Sequence, residues 1–103
     1  MISKSTTSKE LLESLSRLEP AKDTDESLRK LLVAKARSDL IKYEVMVKNF
    51  SKKYSMDFYE FKESKLMQEP PFEVEQDYFD WELAITRLDE IREELGKLEL
   101  LFL

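Results

Sequence analysis

Hydrophobic residues recur every three or four positions between Asp25 and Tyr54, a stretch without glycine or proline. The positions are Leu28, Leu32, Ala36, Leu40, Tyr43, Val47, Phe50 and Tyr54. This spacing places them on one face of an α-helix, whose start can be capped by Asp23 with Glu26 or by Thr24 alone. A helix of about 28 residues is about 42 Å long and would overhang a compact domain of this size.

A second long helix is predicted from Val74 to Leu103, where hydrophobic residues again follow helical spacing. These are Val74, Tyr78, Trp81, Ile85, Leu88, Ile91, Leu95, Leu98 and Phe102. Phe79, Leu83 and Ala84 widen the stripe in the first half, so that half is expected to be covered on more than one side. Gly96 marks either a close contact or the point from which the helix frays.

The N-terminal region predicts a smaller element. Thr7 and Glu10 have the spacing of a capping box, and leucines at helical intervals predict a short amphipathic helix over about residues 8–18. Residues 1–24 are therefore interpreted as a flexible arm with a short helix, and residues 25–103 as the helical domain.

A short helix is predicted between the two long ones. Asp57 suits the N-cap position and Glu60 the third helical position, which together form a capping box. The helix should begin at about Phe58, run to about Met67 and end before Pro70. We interpret this segment as a helix start and assign it no catalytic or binding role.

These elements predict an all-α fold, with two long helices in an antiparallel hairpin, a bridging helix and the small N-terminal helix. The overhanging helices favour a homodimer, in which a second copy completes the core. The residues expected to be mostly buried are Tyr43, Val47, Phe50, Tyr54, Phe61, Trp81, Ile85 and Leu88.

Composition narrows the function. The chain has no His, no Cys and one Gly among 103 residues, which removes the commonest catalytic bases, thiol nucleophiles, zinc ligands and glycine-rich phosphate loops. An enzyme, a metal and a cofactor are therefore not expected. No apolar run approaches the roughly 20 residues that cross a bilayer, and the absence of cysteine fits a cytoplasmic protein. Abundant Lys and Glu with few Asn and Gln resemble the composition of thermophile proteins.

Charge is distributed unevenly, with net +5 over residues 29–65 and net −8 over residues 66–103. The acidic segment either packs against the basic one or steers a basic partner toward the protein. The apolar C-terminus either closes a dimer core or docks on another protein. Nucleic-acid binding is disfavoured, because basic residues are scattered and the pI is about 4.9. The candidate partner-binding residues are Glu73, Glu75, Asp77, Phe79, Asp80, Glu82, Leu83, Leu101, Phe102 and Leu103.

Two phrases carry a family resemblance, FSKKYSMDFYEF at residues 50–61 and DYFDWE at residues 77–82. Over about residues 28–95 the chain resembles small helical proteins of prokaryotes, chiefly archaeal, that look like antitoxins of toxin–antitoxin pairs. The resemblance implies a cytoplasmic, basic, toxin-like partner, often a ribonuclease. Ser55 stands where the family pattern has Gly. The first 25 residues match no DNA-binding antitoxin domain, so autoregulation is not implied.

The sequence therefore favours an antitoxin-like interaction module that neutralises a basic partner through its acidic C-terminal helix. The alternative is a structural homodimer that has no other partner.

Overall fold

The computed structural model describes residues 4–21, 23–66 and 69–101, with side chains from residue 8 onward. Within these ranges the chain forms helices and no strand, which confirms the all-α class. The helices are α1 (Lys4–Leu18), α2 (Thr24–Tyr54), α3 (Phe58–Lys65) and α4 (Phe72–Leu100). None of them, over the same ranges, is both long enough and apolar enough to cross a membrane.

The N-terminal helix is longer than predicted and packs on α2. The chain is helical from Lys4, and the helix ends at Leu18, shortly before Pro20. Where α1 meets α2, Leu15 is buried, and the buried Ser27 hydroxyl donates a hydrogen bond to the carbonyl of Glu19 at 2.7 Å. This bond ties the end of α1 to the first turn of α2.

The two long helices pack along each other, with ion pairs between their side chains. These pairs join Lys53 to Asp77, Glu44 to Arg92 and Arg37 to Glu99. Because the α2 number falls as the α4 number rises, the helices run in opposite directions. Each is about 45 Å long at 1.5 Å per residue.

Helix caps fall close to the positions predicted from sequence. The side chain of Asp23 accepts a hydrogen bond from the backbone of Glu26, and Asp57 does the same for Glu60, each at 2.8 Å. At the end of α2, Ser55 adopts the left-handed conformation with φ 55°. The chain turns sharply at this serine and enters α3.

The bounds of α3 and α4 differ slightly from expectation. α3 ends at Lys65, and Met67, its predicted last residue, lies outside the described residues. α4 begins at Phe72, directly after Pro71, and continues through Gly96 without a break. A Cβ atom added at Gly96 would meet nothing within 4 Å, so this glycine does not serve a close contact.

The core is an aromatic cluster around Trp81, which is fully buried. Its ring lies 5.1 to 6.2 Å, between centroids, from those of Phe50, Tyr54, Phe58 and Phe61. These residues come from α2, α3 and α4. The cluster therefore joins three helices at one end of the hairpin.

The core predicted from helical spacing is partly confirmed. Phe61, Trp81 and Leu88 are buried, whereas Tyr43, Val47, Phe50, Tyr54 and Ile85 are only partly buried. Leu28 and Leu32, counted in the same α2 stripe, are 44% and 53% exposed. The spacing identified the helical face correctly, but α4 covers that face incompletely near the start of α2.

The expectation that the first half of α4 is covered on several sides is wrong for the single chain. Phe79 and Leu83 are 54% and 51% exposed, although Ala84 beside them is buried. The reason is geometric, because α2 and α3 both pack on the Trp81 side of α4. No described element covers the opposite side.

The molecule is extended and exposes a large surface. Its radius of gyration is 19.8 Å, against about 13 Å for a compact chain of 100 residues. Its accessible surface is 8129 Å². A folded monomer of 12.3 kDa exposes about 6,100 Å² by the usual scaling with mass. The chain therefore exposes about 2,000 Å² more than expected for its mass.

Replacing Trp81 with alanine should destabilise the protein by about 3–5 kcal/mol, because it removes the centre of the aromatic cluster. Leu83→Ala, on the exposed side of the same helix, should cost less than about 1 kcal/mol. Urea unfolding followed by circular dichroism measures both changes. Equal losses in the two variants would contradict this placement of the core.

Ser55→Gly should stabilise the protein by about 1 kcal/mol, because glycine adopts positive φ without the steric cost borne by a side chain. Ser51→Gly, one turn earlier in α2, should destabilise by a similar amount. Thermal unfolding of the two variants compares them directly. A loss of stability in Ser55→Gly would show that the left-handed turn is not formed.

Candidate interaction surface

The first half of α4 presents an exposed face with both acidic and apolar side chains. Glu75, Phe79, Glu82 and Leu83 are exposed and, with Phe72, fall within an arc of about 100° on the helix. We call these five residues the acidic-aromatic face. Phe72 is 81% exposed, and the pattern of apolar centre and charged flank is typical of a docking surface.

The other predicted acids lie on a different side of α4. Glu73 and Asp77 both accept from the ammonium of Lys53, at 2.8 and 2.6 Å. Asp80 accepts a hydrogen bond from Gln76 one turn away. The acidic cluster seen in the sequence is thus divided between an internal contact and an outward face.

Asp77 is the most enclosed of these acids, and its environment controls its ionisation. Burial alone would raise the pKa of Asp77, but the hydrogen bonds from Lys53 and Tyr54 outweigh burial and hold the pKa below its usual value. The hydrogen bonds that Lys53 donates to Asp77 and Glu73 raise the pKa of Lys53. Burial and the bond to Asp77 raise the pKa of Tyr54 to about 12. Asp77 therefore holds the end of α2 against the start of α4.

Tyr78 connects the acidic-aromatic face to the core. Its hydroxyl donates to Glu82 at 2.8 Å, and this bond raises the pKa of Tyr78. Its ring stacks on Phe58 with centroids 5.5 Å apart and meets the edge of Phe79 at 5.4 Å. Since Phe58 also contacts Trp81, the exposed face is supported by the buried cluster.

Leu101, a C-terminal candidate that the structure describes, is distant from this face. Leu101 is 73% exposed and follows α4 directly, about 27 Å along the helix from Leu83. Phe102 and Leu103 lie outside the described residues. The structure thus does not bring the predicted partner-binding residues together into one site.

The sequence analysis missed a second surface, an apolar groove between α1 and the start of α2. We call it the leucine groove, and its volume is about 530 Å³. It is lined by Ser8, Leu11, Leu12, Ser14, Leu15, Leu18, Leu28 and Leu31. The helical spacing of the α1 leucines was visible in the sequence. Their exposure was not, because it depends on the angle at which α1 meets α2.

Within the described part of the chain, no three acidic side chains are grouped so as to hold a metal ion. The chain matched no family model, curated protein or solved structure in comparisons with known proteins. The resemblance to antitoxins thus remains an expectation, and function must be argued from the surfaces.

Lowering the pH should weaken the contact at Asp77. The pKa of Asp77 is lower in the native state than its value of about 3.9 in the unfolded chain. The contact therefore stabilises the protein fully above about pH 3.9, and this stability is lost as the pH falls through the native pKa. Asp77→Asn should cost about 1–2 kcal/mol at neutral pH and reduce the loss of stability between about pH 5 and 2. Urea unfolding across this pH range measures the effect. Glu75→Gln, on the exposed face, is the matched control, and identical acid dependence in all three proteins would contradict the assignment.

Proposed function

We propose that this protein is a non-catalytic interaction module that binds a basic protein through the acidic-aromatic face of α4. The observation that carries the proposal is the exposure of Phe79 and Leu83 beside two outward-facing acids, Glu75 and Glu82, which flank them on one side. Apolar anchors with a charged rim are the usual anatomy of a protein-binding surface.

The negative charge of the acidic-aromatic face and its surroundings supports a basic partner. Neither Glu75 nor Glu82 forms an ion pair in the part of the chain that the structure describes, and residues 66–103 carry net −8. A surface of one sign accelerates encounter with a partner of opposite charge and selects against others. Glu73 and Asp77 are excluded from the proposed contact, because Lys53 already binds them.

The packing of aromatic rings beside Phe79 also supports the acidic-aromatic face as the binding surface. Phe79 meets Tyr78, which is stacked on Phe58 above the buried Trp81. An aromatic anchor held by a packed base loses little conformational entropy when it is buried by a partner. Leu101 is 73% exposed and lies outside the proposed contact.

The antitoxin-like role is the more specific part of the proposal, and it rests on the resemblance of residues 50–61 and 77–82. It would make the partner a basic toxin, met in the cytoplasm, whose active surface the protein covers. The alternative, a structural homodimer with no other partner, is favoured by the surface excess of about 2,000 Å². The two functions differ in whether a basic protein binds the acidic-aromatic face.

The test begins with capture of partners from native lysate, followed by kinetics with the protein identified. Glu75→Lys with Glu82→Lys should slow association several-fold and flatten its salt dependence, with little change in dissociation. Phe79→Ala with Leu83→Ala should instead accelerate dissociation, because these residues are the anchors. Biolayer interferometry from about 50 to 500 mM salt separates the two effects.

The matched control is Asp89→Lys with Glu93→Lys, which changes charge equally on the second half of α4 and should slow association less. Retention of a basic protein by wild type and its loss from the anchor variant would support the proposal. Capture of no basic protein, or association indifferent to both salt and charge reversal, would contradict it and favour the structural homodimer.

A further inference from the structure

Helix α1 is poorly covered by its own chain. Of its leucines only Leu15 is buried, whereas Leu11, Leu12 and Leu18 are 66%, 47% and 80% exposed. A 15-residue helix is marginal in water by itself and depends on burial of its apolar face. The apolar face of α1 therefore needs more cover than α2 supplies.

The leucine groove continues along α2 as an apolar strip. From Leu31 the strip passes Ala34 and reaches Ile41 and Val45, which are 63% and 50% exposed. By helical rotation these residues lie on the side of α2 that faces away from α4. The strip covers about 21 Å, so groove and strip form one extended apolar surface.

We propose that the leucine groove and this α2 strip form the interface with a second copy of the chain. The first argument is the accessible surface of the chain. It is 8129 Å², about 2,000 Å² more than a folded monomer of this mass usually exposes. Obligate homodimers bury about 1,000–2,500 Å² on each partner. The excess of about 2,000 Å² on each chain falls within this range.

The second argument for a copy of the same chain is the type of residue that lines the leucine groove. Among the side chains that the structure describes, only leucine and serine line the groove, and they offer no charge to steer or select a foreign protein. Obligate homodimer interfaces are the most apolar class and resemble a domain core. A two-fold dimer places the same groove on both sides of the contact, so one apolar surface covers another.

This interface is separate from the acidic-aromatic face proposed for the basic partner. The groove and strip belong to α1 and the far side of α2, whereas Phe79 and Leu83 belong to the far side of α4. The two surfaces can be occupied together. Their failures can also be told apart, since each has its own variants.

The test is analytical ultracentrifugation of the whole chain from about 1 to 100 µM. Wild type should sediment as a dimer of twice 12.3 kDa. Leu11→Lys with Leu18→Lys should raise the dimer dissociation constant by at least about 100-fold, because two exposed leucines lose apolar burial and two charges enter the interface. Lysine is a strong helix former, so circular dichroism of the variant should match wild type.

The control is Phe79→Lys with Leu83→Lys, which replaces two exposed apolar residues of α4 with the same two charges and should leave the dimer intact. The proposal is overturned if wild type is monomeric throughout, if the α1 variant dimerises normally, or if the α4 variant alone dissociates. A monomer that carries an apolar small molecule in native mass spectrometry would also overturn it.

Hydrogen exchange supplies a measurement that needs no substitution. Amides of α1 should become more protected as the wild-type concentration rises through the dimer range, while amides at the start of α4 remain unchanged. Protection of α1 that is independent of concentration would overturn the proposal, even if the lysine variant failed to fold.

Discussion

The packing of Trp81 between α2, α3 and α4 is the contact on which the rest of the structure depends. Four aromatic rings surround this side chain, and the bonds from Lys53 and Tyr54 to Asp77 close the same end of the hairpin. Trp81 and Phe61 are the largest fully buried side chains in the described chain, so this end is closely packed. The opposite end has no comparable cluster in the described chain, and its leucines other than Leu15 are largely exposed.

The two proposed surfaces follow from this unequal distribution of buried side chains between the two ends of the molecule. Near the cluster, the ring of Tyr78 packs against Phe79, and acids that Lys53 does not bind face outward. Far from the cluster, α1 and the start of α2 form a groove whose described lining carries no charge. One end therefore offers a rigid, charged face suited to a selective partner, and the other an apolar face suited to a copy of the same chain.

The sequence was sufficient to predict the four helices, the Asp57 cap and the burial of Trp81, because capping boxes and helical spacing are visible in the local sequence. For the start of α2 it left Asp23 and Thr24 as alternative caps. It was not sufficient for Leu32 and Phe79, which lie at the helical spacing of core residues but are exposed. Spacing shows which residues share a face, and only tertiary packing shows whether another helix covers that face. The division of the acids depends likewise on Lys53, 24 residues before Asp77.

The central claim is that one apolar surface is covered by a second copy while the other awaits a different protein. Hydroxyl-radical footprinting of the purified chain tests both halves at once. The account predicts that Leu11 and Leu18 react slowly, as in a buried interface, while Phe79 and Leu83 react at the rate of exposed side chains. Equal reactivity at both places, or protection of Phe79 with free reaction of Leu18, would contradict it.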